Sequence, residues 1–171
     1  MKVVTRASVT AVLAVCVSVV PAALAEAHSK LSAVKSHHVS LSGAIETLSS
    51  TGKPGVTGVK DTDAGILDGT ISRSPHFDGA LRQVVTWGPA LAITARGKIF
   101  GDQGSLRFKL TGKFGLSPSG VLGLSAKVTV VGGTGIYAGA HGALQASGVA
   151  SVAAGSTEST LKLTGTVRYR G

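Results

Sequence analysis

The feature that most constrains this sequence is a strict alternation of apolar and polar residues between positions 105 and 114. The even positions are apolar or glycine: Leu106, Phe108, Leu110, Gly112 and Phe114. The odd positions are polar or basic: Ser105, Arg107, Lys109, Thr111 and Lys113. Because successive side chains of a β-strand point to opposite faces, this period of two predicts a half-buried strand.

The same alternation recurs in most of the chain after Ala64, interrupted by turn sequences such as Gly101–Gly104 and Ser117–Gly120. It predicts about seven or eight short strands, and such regular spacing is typical of a β-sandwich or a β-barrel. Glycine recurs inside the predicted strands, as at Gly97 and Gly165, where it permits the sharp coiling of a small closed sheet. We therefore predict an all-β fold, a small closed antiparallel β-barrel of about eight strands, which can enclose side chains or one small ligand.

The first 25 residues have the pattern of a secretory signal peptide. Lys2 and Arg6 form a basic segment, an apolar run follows, and Ala23–Ala25 supplies small residues before Glu26. A membrane anchor is the alternative, but the apolar run is short for a span of about 20 residues, and a cleavage signal follows it directly. We expect cleavage near Ala25-Glu26 and a secreted, extracytoplasmic protein.

The domain organisation expected from these patterns has three parts. Residues 1–25 form the signal peptide, residues 26–63 an N-terminal tail with a candidate first strand and a loop, and residues 64–171 the β-barrel core. The tail contains His28, His37 and His38, which we expect to be solvated because no carboxylate or cysteine has a ligand-like spacing to them. The single cysteine, Cys16, lies in the signal peptide, so we expect a mature chain without disulfides.

The chain is basic, with 17 Lys and Arg against 8 Asp and Glu and a net charge of +9. Such a charge favours anionic surroundings, for example an anionic polymer of the cell envelope. The basic residues are spread along the sequence, which favours the simpler interpretation that they cover the solvated outside of the barrel. Aromatic residues make up 4% and do not interleave with the basic ones, so we expect no nucleic-acid partner.

The segment Val130–Gly135 joins the end of an alternating run to a glycine cluster, and it resembles the phosphate-binding turn of dinucleotide folds. That turn must be followed by a helix, but further glycines such as Gly139 follow here, and each costs a helix up to ~1 kcal/mol. We therefore predict that Gly132, Gly133 and Gly135 form a structural turn. Glycine suits such a turn because it tolerates positive φ and close backbone approach.

The residues from Gly132 to Gly142, together with the strand at Leu161–Val167, resemble the allene oxide cyclase and dirigent superfamily, especially its secreted bacterial allene oxide cyclase barrel-like proteins. The resemblance spans roughly residues 64–169. It is carried by a glycine turn, an aromatic plug and a small residue before a glycine. It implies an eight-stranded antiparallel barrel, often a homo-oligomer (a trimer), with a cavity that guides a reactive apolar substrate into one cyclisation or coupling geometry. We match no position here to the cavity carboxylates of those proteins.

Four side chains are candidates for lining a cavity. Gln83 and Trp87 lie on the otherwise apolar face of their predicted strand. Tyr137 and His141 follow the glycine turn, where Tyr137 would cap one barrel end and His141 would face the cavity entrance or the solvent. The sequence has no nucleophile elbow or zinc signature, and we assign most of its few carboxylates to turns. We expect no metal and no cofactor.

Three functions are compatible with these observations. The barrel binds a small apolar ligand or serves as a stable scaffold; it is an isomerase or cyclase that holds its substrate in a productive conformation; or it binds an anionic envelope polymer through its basic exterior. The interior volume of the barrel, and any polar group that points into it, distinguishes the first two from the third.

Overall fold

The computed structural model describes residues 33–53, 55–71, 76–117, 121–151 and 158–170. The predicted signal peptide, its cleavage site and His28 lie outside these residues. No helix within the described ranges is long and apolar enough to cross a membrane.

Eight strands follow one another around a closed barrel. They are β1 (Val34–Ser50), β2 (Lys60–Ile71), β3 (Phe77–Trp87), β4 (Ala92–Gly101), β5 (Gly104–Leu116), β6 (Val121–Gly133), β7 (His141–Ser151) and β8 (Glu158–Arg170). Each strand pairs antiparallel with its sequence neighbours, and β1 also pairs with β8, which closes the sheet. The predicted fold, a closed antiparallel β-barrel of about eight strands, is confirmed.

The barrel begins well before Ala64, the start expected from the sequence. β1 contains 17 residues and pairs along most of its length with both β2 and β8. β2 begins at Lys60, inside the segment that we expected to be a loop. The alternation is weak here because polar residues, among them His37 and Asp63, occupy positions that face the barrel interior. β1 and the whole of β2 therefore belong to the barrel.

One half of the barrel interior is filled with aliphatic side chains. The largest fully buried ones are Val39, Leu41, Leu67, Leu81, Ile99, Leu106, Val128, Leu163 and Val167. They lie towards the end of the barrel at which β1 begins and β8 finishes. Burial of each side chain of this size contributes roughly 1.5–3 kcal/mol, so this packed half makes a large contribution to the hydrophobic stabilisation.

The glycine turn closes the packed half of the barrel. After β6 the chain forms a short 3₁₀ turn, Gly135–Tyr137, which lies against the hairpin between β4 and β5. The Thr134 amide donates to the Ser105 carbonyl oxygen at 2.8 Å. Gly135 has φ 61°, and a Cβ at this position would overlap the Gln103 carbonyl oxygen. Glycine is therefore required by both the backbone conformation and the close approach of the hairpin.

Three aromatic rings pack together at this same end. His37 points inward from β1 and stacks on Tyr169, with ring centroids 3.8 Å apart and an angle of 15°. Tyr169 in turn meets Tyr137 edge-on, with centroids 5.2 Å apart. In the described part of the chain, neither ring nitrogen of His37 has a hydrogen-bond partner. The expectation of a solvated tail is therefore wrong for His37, which is a buried part of the barrel.

Replacement of His37 by Phe should reduce the acid sensitivity of the fold. Burial, with a smaller contribution from the charge of Lys35, lowers the pKa of His37 below its usual value of 6.5. Because the unfolded chain binds this proton more readily, stability should be lost as the pH falls below about 6.5. Phe keeps the stacking on Tyr169 and cannot be protonated. When the pH is lowered from 7 to 5, the melting temperature should fall in both proteins. The fall should be smaller in His37→Phe than in wild type, by at least about 2 °C. Equal losses would contradict this role.

Candidate functional site

A cavity of about 650 Å³ occupies the other half of the barrel. All eight strands contribute to its wall, and most of the lining side chains are apolar, among them Ile45, Val85, Ile93, Leu110, Leu122 and Leu161. Known small-molecule sites have volumes of roughly 300–1,000 Å³ and mainly apolar walls with a few polar groups. The cavity therefore has the size and character of a binding site for a small molecule.

Two carboxylates lie side by side in this apolar wall. Asp61 and Asp63 are two residues apart on β2, so both side chains point inward, and they are only 4% and 7% exposed. Asp63 is directly opposite Thr47 on β1 and Gln83 on β3. The register of the three strands thus collects the polar side chains of the cavity at one place.

Hydrogen bonds fix the two carboxylates in position. The Thr47 hydroxyl donates to Oδ1 of Asp63 at 3.0 Å, and the Gln83 amide nitrogen donates to Oδ2 of Asp63 at 3.1 Å. The indole Nε1–H of Trp87 donates to Oδ2 of Asp61 at 2.5 Å. These three hydrogen bonds hold both side chains in one orientation towards the cavity.

Two buried acceptor atoms of this cluster are left without a partner. Oδ1 of Asp61 and Oε1 of Gln83 have no hydrogen bond to any described residue. An unsatisfied buried polar atom costs about 1–3 kcal/mol, and more when it is charged. Donors from a bound molecule would remove this cost.

The environment of Asp63 favours its protonated form. Burial raises the pKa of this carboxyl, and the nearby charge of Asp61 adds to the effect. The hydrogen bonds from Gln83 and Thr47 act in the opposite direction without cancelling it. A carboxyl of this kind exchanges a proton closer to neutral pH than an exposed one does.

Replacement of Asp63 by Asn should stabilise the protein. The folded state binds the Asp63 proton more tightly than the unfolded chain does. Proton binding therefore stabilises the folded state at low pH, and this stabilisation is lost as the pH rises above about 4. Asn keeps an acceptor for Thr47 or Gln83 and removes the charge. We expect a gain of about 1 kcal/mol at pH 7, or about 2–4 °C in melting temperature, and little gain near pH 3. A lower melting temperature at pH 7 would contradict this.

An aromatic surface lies beside the carboxylates. The rings of Trp87 and Phe114 stack with centroids 5.3 Å apart and an angle of 23°, and both line the cavity. Aromatic rings of this kind present a flat apolar face to a ligand. Trp87 thus contributes to the site with its ring as well as with its indole hydrogen bond to Asp61.

The structure places the four predicted cavity residues at two different ends of the barrel. Gln83 and Trp87 line the cavity. Tyr137 is buried in the packed half, and His141 is exposed at the start of β7, where Nδ1 lies 3.2 Å from the Gly139 carbonyl oxygen. The prediction that Tyr137 and His141 line the cavity is wrong, whereas the positions of Tyr137 at one barrel end and of His141 in solvent agree with the other expectations for them. Both residues follow the glycine turn, which comes after the last residues of β6. The cavity is lined by the first residues of β6, at the opposite end of the barrel.

Three further cavity residues, Thr47, Asp61 and Asp63, were not predicted from the sequence. We assigned the two carboxylates to a loop because glycines precede them and because Asp is typical of turns. Continuing the alternation backwards from the buried Leu67 through Gly65 would have placed both Asp residues on the inner face of β2. The period of two was present in β2, but two of its inward residues are carboxylates, so the apolar half of the pattern was missing.

Neither a surface histidine–carboxylate pair nor a metal-binding cluster of described residues adds to this site. His76 and Asp78 form a contact of 3.1 Å on the surface, where both side chains are about two-thirds exposed. Among the residues described, no group of three or more His, Cys, Asp and Glu side chains is arranged to hold a metal ion.

The fold and the site together define a class, the closed eight-stranded antiparallel β-barrels with an interior cavity of small-molecule size. Among solved structures the chain is similar to pyocyanin demethylase, at 21% identity and a TM-score of 0.45, over 74% of this chain and 100% of that one. No family model matches the sequence. No curated protein matches it either.

Proposed function

We propose that this protein binds a small, mainly apolar molecule in its barrel cavity. The observation that carries the proposal is the 650 Å³ apolar cavity with its polar groups gathered on one wall. A barrel that served only as a scaffold would gain stability by filling this space, because an empty interior forfeits van der Waals contacts. The buried acceptors of Asp61 and Gln83 support the same function, since a ligand could donate the hydrogen bonds that they lack.

The test uses Trp87, the single tryptophan of the chain, as a reporter inside the cavity. Titration with Nile red, a neutral apolar dye, should change the Trp87 emission saturably, with a stoichiometry of one dye per barrel. Dye fluorescence that rises without saturation, together with an unchanged Trp87 emission, would overturn the proposal.

A finer version of this function is an isomerase or cyclase that steers a reactive apolar substrate. Its support is the resemblance of the glycine-turn segment to the allene oxide cyclase and dirigent superfamily, together with the buried Asp63. The raised pKa of Asp63 suits a group that exchanges a proton with a substrate. With an allene oxide or polyene substrate, wild type should give one product stereoisomer in excess, and Asp63→Asn should give less. A product mixture identical to that formed in buffer would overturn this version.

A second function is favoured by the outer face of β4, β5 and β6. These strands contain six basic residues and no carboxylate, the basic ones being Arg96, Lys98, Arg107, Lys109, Lys113 and Lys127. The register sets Lys98 directly opposite both Arg82 and Arg107, and Arg96 directly opposite Lys109. Like charges in such positions destabilise a sheet. The residues are spread along the sequence, but the fold brings them together into one basic face.

A depression of about 470 Å³ lies on this basic face. It is lined by Lys60, Arg96 and Lys109, together with threonines of β3, β4 and β5. Ammonium, guanidinium and hydroxyl groups all donate hydrogen bonds, so the depression suits an anionic group. We propose that the basic face binds an anionic polymer of the cell envelope, which would offset the repulsion between the neighbouring cations.

Heparin chromatography tests the basic face, with heparin as a generic polyanion. Replacement of Lys98 and Lys109 by Glu should lower the salt concentration at which the protein elutes much more than Lys162→Glu, a single charge reversal on β8. Since each contact to a polyanion releases counterions, the binding of wild type should also weaken steeply with salt. The control reverses one charge whereas the double variant reverses two, so Lys98→Glu alone is compared with the control directly. Equal elution of Lys98→Glu and Lys162→Glu would contradict a localised face.

Export is part of the proposal, since an envelope polymer lies outside the cytoplasm. The basic, apolar and small-residue segments before Glu26 support cleavage at that position. Mass spectrometry of the protein from the culture medium should give a mature chain that begins at Glu26. An intact N-terminus on protein retained in the cell would contradict export.

A further inference from the structure

We infer that the cavity selects ligands that carry a positive charge, namely an apolar molecule with a protonated amine or a related cationic N–H group. This inference rests on the proposed small-molecule function of the cavity and adds the chemical class of its ligand. It is carried by the signs of the charges in the cavity wall, the two unpartnered acceptors and the aromatic surface beside them.

The cavity is acidic in a protein that is otherwise basic. The chain has a net charge of +9, yet the buried Asp61 and Asp63 and the exposed Glu158 line the cavity, and its described lining includes no Lys, Arg or His. A charge removed from water must be paired, because burial without a partner is costly. A ligand cation would provide this pairing, whereas a ligand anion would be repelled by all three carboxylates.

The unpartnered atoms specify donors on the ligand. Oδ1 of Asp61 belongs to a side chain that is 4% exposed, and Oε1 of Gln83 to one that is 8% exposed. Both atoms accept hydrogen bonds and cannot donate them when Asp61 is ionised. An ammonium group offers three donors and one positive charge, and donors of this kind are what the two acceptors lack.

The aromatic surface completes the match to an apolar cation. Trp87 binds Asp61 through its indole N–H and stacks with Phe114, so the apolar wall and the carboxylate adjoin. Tryptophan is also the aromatic side chain that attracts cations most strongly through its ring face. A ligand whose amine is attached to a flat apolar body would use both features at once.

A bare metal ion fits the same atoms less well. Hard divalent cations take six to eight oxygen ligands, and the cluster offers two carboxylates and one amide oxygen. The cavity of 650 Å³ is also much larger than an ion needs, and most of its wall is apolar. The arrangement therefore favours an organic cation.

Three probes with the same ring system test the inference: pyrenylmethylamine, pyrenylmethanol and pyrenecarboxylic acid. Energy transfer from Trp87 to the pyrene reports binding, and a saturable stoichiometry of one probe per barrel separates the cavity from scattered binding on the outer surface. At pH 7 the amine should bind at least about 10-fold more tightly than the alcohol, as expected for hydrogen bonds to charged acceptors. The acid should bind more weakly than the alcohol.

Variants identify the group responsible. Asp61→Asn should reduce the preference for the amine over the alcohol to about 2-fold or less, while the affinity for the alcohol changes little. Asp78→Asn, a matched loss of one carboxylate on the exposed outer surface, should leave the preference unchanged. The three-probe comparison on wild type decides the inference by itself, even if Asp61→Asn fails to fold.

The outcomes separate this inference from the function on which it rests. Equal affinities for the amine and the alcohol would overturn the inference and leave the small-molecule function standing. Failure of all three probes and of Nile red to change the Trp87 emission would overturn the small-molecule function itself. Retention of the full amine preference in a folded Asp61→Asn protein would also contradict the inference.

Discussion

Gly133→Val should prevent the barrel from folding to a stable state. A Cβ at Gly133 would overlap the Tyr137 carbonyl oxygen and lie 2.6 Å from the Ser105 carbonyl oxygen. Both are backbone atoms, so no change of side-chain rotamer relieves the contact. We expect a loss of more than about 4 kcal/mol, a large fraction of the 5–15 kcal/mol that stabilises a typical domain. Circular dichroism during thermal unfolding and the yield of soluble protein measure the effect.

Gly115→Val is the matched control for this prediction. Gly115 lies on β5, and a Cβ there would meet no atom within 4 Å. Valine is favoured in strands, so the change should alter stability by no more than about 0.5 kcal/mol. A Gly133→Val protein that melts within a few degrees of Gly115→Val would contradict the tight contact between the glycine turn and the β4–β5 hairpin.

Leu163→Ala should destabilise the protein by about 3–5 kcal/mol. Leu163 is 1% exposed and lies among the aliphatic side chains of the packed half, where its removal leaves a hole that close-packed neighbours cannot fill. Equilibrium unfolding in urea measures the loss from the shift of the midpoint.

Leu122→Ala removes the same atoms from the other half of the barrel and should cost much less, about 1.5 kcal/mol or below. Leu122 lines the cavity, so its side chain already faces open space on one side and has fewer contacts to lose. Equal losses for Leu163→Ala and Leu122→Ala would contradict the division of the interior into a packed half and an open half.

The sequence predicted the fold correctly because most strands carry a clear alternation. On β5 the inward residues Leu106, Phe108 and Leu110 are all less than 5% exposed, as the period of two requires. β1 was predicted only in part, because serines and His37 dilute its pattern. Its place in the barrel is set by long-range pairing with β2 and β8, which the pattern of one strand does not reveal.

The candidate site was harder to predict than the fold. Gln83 and Trp87 stood out because they interrupt an apolar face, and both line the cavity. Asp61 and Asp63 were missed because isolated carboxylates near glycines are typical of turns. Only the register shows that Asp63 faces Thr47 and Gln83, and register is a property of three strands rather than of one.

The two halves of the barrel differ in packing, and this difference explains how the fold tolerates a cavity lined by two carboxylates. The packed half supplies the hydrophobic burial, and the glycine turn closes that end. The open half is then free to carry groups that reduce stability, such as the buried Asp63, whose replacement by Asn we expect to be stabilising. Sites that serve a ligand are commonly the places where a protein gives up stability in this way.

The most direct test of the central claim, that this cavity is a ligand site, is a crystal structure of the protein with pyrenylmethylamine. We predict the pyrene ring inside the barrel against Trp87, with the amine nitrogen within hydrogen-bond distance of Oδ1 of Asp61. A probe found only on the outer surface, or a barrel whose cavity is filled by its own side chains, would contradict the account.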